Sequence, residues 1–369
     1  MKVVIACGGT GGHLFPGLAV GEVLLGRKHD VLLLVSEKEI DRKALEGRWG
    51  FQVRRLPSMG WPRGLSIQTL RFFAQLIRAR SFCRKLYAEW PPDVVLAMGG
   101  FTSAAPIWEA RRRWIPSVVH EANVIAGRAN RLLAKSAARV VVGFREAAPA
   151  FERSIGSGKV VFGGTPVRNQ IRQKVDRATV KSELGFDPDR KVILVMGGSQ
   201  GARGLNTRVL EALPALRDER LQWVHLTGEG EEGRAETAYR QNGFPFHVWP
   251  FFGEMQKLYA IADLVIARSG ASSITEINYF GLPAIYIPYP FAADRHQSAN
   301  AKVQVDAGAG LCFEENGISG DQLAREIRGL VADPRRLAGM VSNSRRLSVD
   351  DAAEKLADIL CELAAENTD

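Results

Sequence analysis

The chain has 369 residues, of which 46% are hydrophobic and 24% charged, so its composition is that of a globular protein and excludes a disordered or fibrous one. Its length predicts two domains. The net charge of +9 is uneven: residues 1–168 carry 26 Lys or Arg and 12 Asp or Glu, which gives +14, and the remaining 23 and 28 give −5. Unless this asymmetry is chance on solvated faces, the two halves have different partners.

Cysteine spacing and the length of apolar runs exclude further classes. Cys7, Cys83, Cys312 and Cys361 form no CxxC pair and no cluster with histidine, which disfavours a disulfide framework or structural zinc and fits a reducing compartment. The longest apolar runs have about five or six residues, whereas a membrane-spanning helix needs ~18. The N-terminal run stops at a glycine cluster, so we interpret it as a buried strand and not as a signal peptide.

Short apolar runs alternate with longer stretches of helical spacing. Buried strands are predicted at 3–7, 31–35, 94–98, 117–120, 139–142, 191–196, 223–226, 264–267 and 284–287. This alternation predicts an α/β protein with two doubly wound parallel sheets. We place an N-terminal domain at residues 1–166 and a C-terminal domain at 167–349, and we expect the last helix, within 350–369, to pack back onto the first domain.

A glycine-rich turn follows the first strand of each predicted domain, at residues 8–12 and 197–201. The unpaired N–H groups of such a turn and the dipole of the helix it opens favour a phosphate. Neither turn reads GxGxxG and no GxxxxGK[ST] segment exists, so the dinucleotide fingerprint and the P-loop are absent. Tight strand–helix packing is the structural alternative, and it explains two matched turns less well than one.

His13 directly follows the first turn, at the start of the predicted helix. Ligands of open parallel sheets bind at this position, beyond the carboxyl ends of the strands. The positive end of the helix favours the neutral imidazole, which can accept a proton. The alternative is a histidine that is merely hydrogen-bonded within its own turn.

The segment between residues 47 and 88 contains nine Lys or Arg and no Asp or Glu. Basic residues recur every seven positions, near one helical face, and apolar residues interleave with them: Arg71, Arg78 and Lys85, with Phe72, Phe73, Leu76, Ile77 and Phe82. A second basic and aromatic cluster comprises Trp108, Arg111, Arg112, Arg113 and Trp114. Both patterns suit the surface of an anionic membrane. The alternative is a solvated basic face with a core stripe; nucleic acid is a poorer explanation, because no nucleic-acid motif accompanies the charge.

Two polar segments follow strands of the second domain. Residues 268–276 place Ser and Thr near Glu276, which is the pattern of a capping box but also of a carboxylate that accepts hydrogen bonds from ribose hydroxyls. Residues 294–300 follow a proline-rich loop, and so many polar residues in a loop favour ligand contact over solvation. No Asp/His cluster is evident, so we expect no required metal or other cofactor, and Mg²⁺ at most loosely held on a phosphate-bearing ligand.

Seven segments in register resemble one family. The segment GGTGGHLFPGLA at 8–19 is highly specific and resembles the opening of the MurG family, the undecaprenyldiphospho-muramoylpentapeptide β-N-acetylglucosaminyltransferases. Residues 98–101, 120–123, 164–168, 197–202, 268–271 and 294–297 agree in the same order. The resemblance implies the GT-B architecture, in which two Rossmann-like doubly wound domains face a central cleft. Thr165 and Ala122 depart from the Asn and Gln that are frequent in the family, which affects fine contacts and not the reaction.

The resemblance also implies a role for individual residues. UDP-N-acetylglucosamine is expected to be held mainly by the C-terminal domain, with Ser199 at the diphosphate, Glu276 at the ribose and the backbone near Phe252 at the uracil. Arg168 is expected near the nucleotide end of the cleft. Further contacts to the donor are expected from Ala271, Ser272, Ser273 and Gln297, and, from the N-terminal domain, from Thr10, Gly11, Gly12 and Asn123.

The implied reaction is the inverting transfer of N-acetylglucosamine to the 4-hydroxyl of the N-acetylmuramoyl unit of lipid I, which gives lipid II and UDP in peptidoglycan synthesis. Inversion in one displacement needs one base, for which His13 is the first choice, and a stabilised leaving group. Because lipid I is anchored in the bilayer, a peripheral location on the cytoplasmic face of the bacterial inner membrane is expected.

Three alternatives stay open on the residues alone. A UDP-N-acetylglucosamine 2-epimerase shares the GT-B architecture but gives no role to the basic and aromatic segments. A non-catalytic, membrane-docked nucleotide-sugar-binding protein would keep the donor site but needs no base. A diacylglycerol glycosyltransferase would use the same membrane surface, so the choice of acceptor depends on the resemblance.

Overall fold

The computed structural model describes residues 1–37, 50–57, 67–198 and 202–367. The chain divides into two compact units. The first consists of Met1–Arg168 together with Val349–Asp369, and the second of Asn169–Ser348. The first unit therefore contains both ends of the chain, and the last helix packs against its first helix.

The first unit is built on a sheet of seven parallel strands. In chain order these are β1 (Lys2–Ala6), β2 (Asp30–Val35), β3 (Gln52–Arg55), β4 (Val94–Ala97), β5 (Ser117–Glu121), β6 (Arg139–Val142) and β7 (Val160–Phe162). Their order across the sheet is β3-β2-β1-β4-β5-β6-β7, and Val3 lies opposite both Val31 and Val94. The helices are α1 (Gly11–Gly26), α2 (Ile67–Glu89), α3 (Ala104–Arg112), α4 (Arg128–Ala134) and α5 (Ala148–Ile155).

Helices cover both faces of this sheet because successive strand residues point to opposite sides. Val3 and Ile5 pack with Leu14 and Leu18 of α1 and with residues of the C-terminal helix, whereas Val4 and Ala6 pack beneath α2 to α5. Helix α1 approaches β1 so closely that a Cβ atom at Gly17 would lie 2.4 Å from Cβ of Cys7. Glycine is therefore required where α1 crosses the end of its strand.

The second unit has a sheet of six parallel strands: β8 (Lys191–Met196), β9 (Leu221–Leu226), β10 (Phe246–Trp249), β11 (Leu264–Ala267), β12 (Ala284–Tyr286) and β13 (Gly310–Cys312). Their order is β10-β9-β8-β11-β12-β13. The remaining helices are α6 (Asn169–Arg172), α7 (Arg177–Glu183), α8 (Arg203–Ala212), α9 (Glu232–Gln241), α10 (Met255–Ile261), α11 (Ala271–Phe280), α12 (His296–Asp306), α13 (Gly320–Val331), α14 (Pro334–Arg346) and, in the first unit, α15 (Ala352–Glu366).

Each sheet reverses its strand order at one point, between β1 and β4 in the first unit and between β8 and β11 in the second. Connections leave these neighbouring strands in opposite directions, so the carboxyl ends form a crevice where ligands of open α/β sheets bind. The glycine turns after β1 and β8 and the loops after β4 and β11 meet at these two points. The fold thus brings distant polar segments together at one edge of each sheet.

The predicted α/β class with two parallel sheets is confirmed, and all nine predicted strands are present within two residues at either end. The sequence patterns missed β3, β7, β10 and β13, which are the outermost strands of the two sheets. These strands have three or four residues, and those of β3, β7 and β10 are half-buried or exposed. Strands this short give a weak sequence signal, and an outermost strand needs no long apolar run because only interior strands are flanked by a neighbour on both sides.

Candidate active site

The side chain of His13 is held by the turn that precedes it. Helix α1 begins at Gly11, and the side chain of Thr10 makes no capping hydrogen bond to the helix backbone. Its Oγ1 lies 3.1 Å from Nδ1 of His13, and the His13 N–H donates to the Thr10 carbonyl. The predicted residues Thr10, Gly11, Gly12 and His13 therefore form one compact group at the positive end of α1.

A second glycine turn, after β4, packs against the imidazole. A Cβ atom at Gly99 would lie 3.2 Å from Nε2 of His13, and one at Gly100 would lie 3.1 Å from Nδ1. Both glycines have left-handed φ values, +101° and +75°, which L side chains rarely adopt. The Thr102 hydroxyl donates to the Gly8 carbonyl at 3.1 Å and so ties the two turns together. In the sequence this second turn stood out only as part of a motif. In the structure it packs against His13 and positions its ring.

Asn123 is positioned by the buried carboxylate of Glu121 at the end of β5. This carboxylate accepts hydrogen bonds from the backbone N–H groups of Asn123 and Gly127 and from Nδ2 of Asn130, each at 2.9 Å. Asn130 in turn lies beside Gly99, since its Nδ2 would be 3.2 Å from a Cβ atom there. The network connects the predicted residue Asn123 to the turn that seats His13.

Arg168 lies at the end of the first unit and stacks on α1. Its guanidinium carbon is 4.1 Å from the centre of the Phe15 ring, a cation–π distance. Phe15 in turn contacts the helix start, because its ring would be 3.1 Å from a Cβ atom at Gly11. Arg168 is thus brought to the same end of α1 as His13.

In the second unit, helix α11 starts where β11 ends and carries four of the predicted residues. Ala271, Ser272 and Ser273 form its first turn, and Glu276 follows in the second. Oε2 of Glu276 accepts a hydrogen bond of 2.9 Å from the hydroxyl of Tyr259. Oγ of Ser272 has no hydrogen-bond partner in the described part of the chain, although it is buried. The N-terminal turn of α11 therefore presents backbone N–H groups and a hydroxyl that a ligand can satisfy.

Gln297 and Arg268 both hold the loop that follows β12. Oε1 of Gln297 accepts from the Tyr289 N–H at 2.9 Å, and Arg268 donates to the carbonyls of Ile287 and Pro288 at 2.9 Å each. Arg268 also forms an ion pair with Glu315, so its charge is already compensated within the unit. Arg268 therefore shapes the loop, and Gln297 is brought beside it.

The remaining donor-side residues fall outside this group. Phe252 follows β10 and packs its ring 4.8 Å from that of Trp249, on the outermost strand of the sheet. Ser199 lies outside the described residues. Asp294 and Arg295, directly before α12, have φ values of +51° and +53°, which are unusual for residues with side chains. Such strain is often kept at functional loops.

The residues expected at a membrane divide between core and surface. Phe72 is only 8% exposed and lies on the face of α2 that meets the sheet, so the expectation that this side chain faces a bilayer is corrected. Phe82 and Trp108 are partly buried against the core of the first unit. Arg71, Arg78 and Lys85 are exposed, and Leu76 is half-buried. Among the side chains of α2 that the structure describes, the exposed large apolar ones are Leu70, Phe73 and Ile77, at 72%, 48% and 69%.

Phe101 connects this apolar surface to the His13 turn. Its ring is 6.2 Å from that of Phe72, which in turn lies 5.6 Å from Phe73, and Phe101 directly follows Gly100. We name Leu70, Phe73, Ile77 and Phe101 the apolar patch. Because all four are more than two-fifths exposed, the patch is a candidate docking surface beside the predicted base.

The arginines of the second cluster differ in their partners. Arg112 and Arg113 both donate to the buried carboxylate of Glu109, whereas Arg111 donates to the Lys135 carbonyl and the Ser136 hydroxyl. Burial raises the pKa of Glu109, but the hydrogen bonds and charges of Arg112 and Arg113 outweigh it, so the pKa lies below its usual value. Trp114 is 87% exposed at a left-handed φ of +59°. A hollow of about 510 Å³ lies at this cluster and is lined by Arg80, Trp108, Arg111, Arg112, Trp114 and Ser136.

Two fully buried histidines predict acid sensitivity. Burial lowers the pKa of His120 to about 4 and that of His225 to about 3, from an ordinary 6.5. Between about pH 6.5 and 4 the unfolded chain binds more protons than the folded protein, so the free energy of unfolding falls as pH is lowered. The loss is up to about 3 kcal/mol for each histidine. Urea unfolding at pH 7, 6 and 5 measures it, and a constant free energy of unfolding across this range would contradict the buried neutral state.

No group of three or more metal-binding side chains occurs within the described ranges, and none of the helices described there is long and apolar enough to cross a membrane. None of the four cysteines, all of which lie in the described ranges, forms a disulfide.

Two sequence models match the chain in order. The Glycosyltransferase family 28 N-terminal domain matches residues 3–142, and the Glycosyltransferase family 28 C-terminal domain matches residues 192–356. A UDP-N-acetylglucosamine–N-acetylmuramyl-(pentapeptide) pyrophosphoryl-undecaprenol N-acetylglucosamine transferase of Geotalea uraniireducens is 36% identical over 362 residues, which is 97% of each chain. The same name is carried by a protein of Anaeromyxobacter sp. that is 38% identical over 368 residues, 98% of this chain and 93% of the relative.

Solved structures agree with these relatives. The crystal structure of Acinetobacter baumannii MurG superposes with a TM-score of 0.77 at 25% identity and covers 98% of this chain and 99% of that one. A UDP-GlcNAc 2-epimerase of Neisseria meningitidis reaches a TM-score of 0.71 at 14% identity, with 98% and 100% covered, and so shares the fold alone. The predicted GT-B architecture is confirmed. The chain belongs to glycosyltransferase family 28 and, within it, to the family of UDP-N-acetylglucosamine–N-acetylmuramyl-(pentapeptide) pyrophosphoryl-undecaprenol N-acetylglucosamine transferases.

Proposed function

We propose that this protein transfers N-acetylglucosamine from UDP-N-acetylglucosamine to the N-acetylmuramoyl unit of lipid I and so makes lipid II for peptidoglycan synthesis. The observation that carries the catalytic part is the seating of His13. Its ring lies between a hydroxyl at 3.1 Å from Nδ1 and two glycines whose missing Cβ atoms leave room for the imidazole, at the strand-order reversal of the first sheet. A mere nucleotide-sugar-binding protein would need no such base, and an epimerase would give no role to the basic and aromatic segments of the first unit.

The second unit holds the donor in this proposal. The first turn of α11, with Ala271, Ser272 and Ser273, directs N–H and hydroxyl groups toward the diphosphate, and Ser199 is a further diphosphate contact by the family resemblance. Glu276 accepts hydrogen bonds from the ribose, and the backbone near Phe252 contacts the uracil. Gln297 contacts the sugar and diphosphate, and Arg168, Thr10, Gly11, Gly12 and Asn123 complete the donor site from the first unit.

The reaction is a single displacement at C1 of the donor sugar. The 4-hydroxyl oxygen of the acceptor attacks C1, its proton passes to the imidazole of His13, and the bond from C1 to the diphosphate oxygen breaks. Attack from the face opposite the leaving group inverts the anomeric centre and gives the β-1,4 link. Helix N-termini and backbone N–H groups stabilise the charge that develops on UDP, which is commonly the largest electrostatic contribution. No metal cofactor is needed for these steps, and Mg²⁺ at most associates loosely with the diphosphate.

The acceptor carries a long polyprenyl chain, so the first unit must act at the membrane surface. The apolar patch lies next to the turn that seats His13, and exposed arginines and lysine flank it on α2. Apolar side chains among basic residues suit the interface of a bilayer with anionic lipids. We therefore assign the protein a peripheral place on the cytoplasmic face of the bacterial inner membrane, with no role for nucleic acid.

The decisive experiment incubates the protein with radiolabelled UDP-N-acetylglucosamine and a lipid I analogue. A labelled disaccharide-lipid with release of UDP is the expected result. Release of N-acetylmannosamine would instead mean an epimerase, and tight UDP binding without any labelled product would mean a binding protein. A parallel reaction with diacylglycerol as acceptor tests the third alternative.

Replacing Glu276 with alanine is expected to weaken UDP binding about 10- to 100-fold. Hydrogen bonds to a charged group contribute about 1.5–3 kcal/mol, and the ribose hydroxyls lose such a partner in the variant. Isothermal titration calorimetry measures the change. The matched control is Glu236→Ala. This substitution removes a carboxylate of the same unit that forms a surface ion pair with Arg240. It should leave UDP affinity unchanged. Equal UDP affinity in Glu276→Ala and wild type would refute the ribose assignment.

A further inference from the structure

The hydroxyl of the buried Tyr259 contacts the carboxylate of Glu276. Tyr259 lies on α10 and is 1% exposed, and its hydroxyl is 2.9 Å from Oε2 of Glu276 and 3.5 Å from Sδ of Met196. The carboxylate oxygen is the stronger acceptor of the two, so the hydroxyl donates to Glu276. This contact joins two residues seventeen positions apart, at the carboxyl end of β8, where the strand order reverses.

The ring that carries this hydroxyl is itself fixed. Its centre is 5.2 Å from that of Phe280, which lies on α11 one turn beyond Glu276. The same tyrosine therefore contacts α11 at two successive turns, once through its ring and once through its hydroxyl. A glutamate side chain rotates broadly about its last bond, and a donor of fixed position selects one orientation of the carboxylate. The hydroxyl is buried beside this carboxylate, so its donation favours the orientation in which Oε2 of Glu276 faces it.

We propose that Tyr259 is a positioning residue, which orients the carboxylate of Glu276 for the two ribose hydroxyls of the donor. The inference rests on the proposed function, because it takes Glu276 as the ribose-binding group. The inference goes beyond the proposed function because it names the residue that makes this site select ribose over 2′-deoxyribose. A carboxylate held in one orientation loses affinity for a nucleotide that lacks one hydroxyl, whereas a freely rotating carboxylate adapts.

A double-mutant cycle tests this inference. The affinities of UDP and 2′-deoxy-UDP are measured by calorimetry for wild type, Tyr259→Phe, Glu276→Ala and the double variant. Tyr259→Phe is expected to weaken UDP binding about tenfold and to bring the two nucleotides within about twofold of each other. In the Glu276→Ala background the same substitution is expected to change UDP affinity less than twofold, because the group through which Tyr259 acts is gone. With substrate, KM for UDP-N-acetylglucosamine should rise while kcat stays within about twofold.

Tyr239→Phe is the matched control. Tyr239 is also fully buried in the second unit, and its hydroxyl also contacts a side chain, Nδ1 of His225 at 3.0 Å. We expect it to lower the melting temperature to a similar extent and to leave UDP affinity and nucleotide selectivity unchanged. Unchanged selectivity in Tyr259→Phe, or an equal loss in both backgrounds of the cycle, would overturn the inference while the ribose assignment stands. If Glu276→Ala itself leaves UDP affinity unchanged, the ribose assignment fails and Tyr259 has no such role.

Discussion

Replacing His13 with alanine is expected to lower kcat by about 10²- to 10⁴-fold, the usual contribution of a positioned base. Several contacts position this ring: the hydroxyl of Thr10 lies on one side and the backbone of Gly99 and Gly100 on the other. None of these contacts involves the second unit, so UDP affinity should stay within about twofold. Initial rates with a lipid I analogue and calorimetry with UDP measure the two quantities separately.

Thr10→Val provides the graded control for this prediction. It removes the hydroxyl 3.1 Å from Nδ1 but keeps the glycine seat, so a loss of about tenfold in kcat is expected. A His13→Ala protein that keeps kcat within a few-fold, at unchanged thermal stability, would show that His13 is only part of the turn. The base would then have to be sought elsewhere.

The interior of each sheet was predictable from the sequence, whereas the edges were not. Interior strands such as β1 and β8 are covered on both faces, so each reads as an uninterrupted apolar run. The outermost strand β3 has the sequence QVRR, whose polar residues are tolerated because one side of the strand faces solvent. A pattern of this kind does not differ from that of a loop.

The candidate site was likewise predictable from the sequence only in part. Local chemistry at strand ends indicates the glycine turns at 8–12 and 197–201, together with His13 and Glu276, whereas the roles of Ala271, Ser272 and Ser273 follow from the family resemblance. The contacts that orient them come from residues far along the chain, such as Gly99 against His13 and Tyr259 against Glu276. These depend on which strands become neighbours, and one sequence without its fold does not contain that information in any local pattern.

The core-facing and membrane-facing residues of helix α2 were predicted only partly correctly from the sequence. Phe72, Ala79, Cys83 and Leu86 are buried and form the stripe that meets the sheet, yet Leu70, Phe73 and Ile77 form a second apolar stripe that faces solvent. A helix that is apolar on two faces has no single hydrophobic direction, so periodicity does not reveal which face packs inward. The exposed stripe stays apolar because, in our proposal, a bilayer covers it.

Two adjacent phenylalanines allow the membrane proposal to be tested. In Phe73→Ser/Ile77→Ser, binding to anionic vesicles is expected to fall about 100-fold, because the two side chains together lose about 3 kcal/mol of apolar transfer. The free energy of unfolding should change little, since both side chains are largely exposed. Phe72→Ser is the opposite case: its side chain is 8% exposed, and we expect a loss of about 3–5 kcal/mol in the free energy of unfolding. Vesicle sedimentation and urea unfolding measure the two effects.

The charged part of the surface makes a separate prediction within the same assay. Arg71, Arg78 and Lys85 flank the apolar stripe and are exposed, and each basic residue near an anionic surface contributes about 1 kcal/mol. Binding should therefore weaken with salt and with neutral lipid, while the loss in Phe73→Ser/Ile77→Ser persists under every condition. If that variant binds vesicles as wild type does, the apolar stripe has no membrane role and the acceptor must reach His13 by another surface. If high salt abolishes vesicle binding but Phe73→Ser/Ile77→Ser does not weaken it, Arg71, Arg78 and Lys85 bind the membrane alone. Leu70, Phe73 and Ile77 then need a different partner.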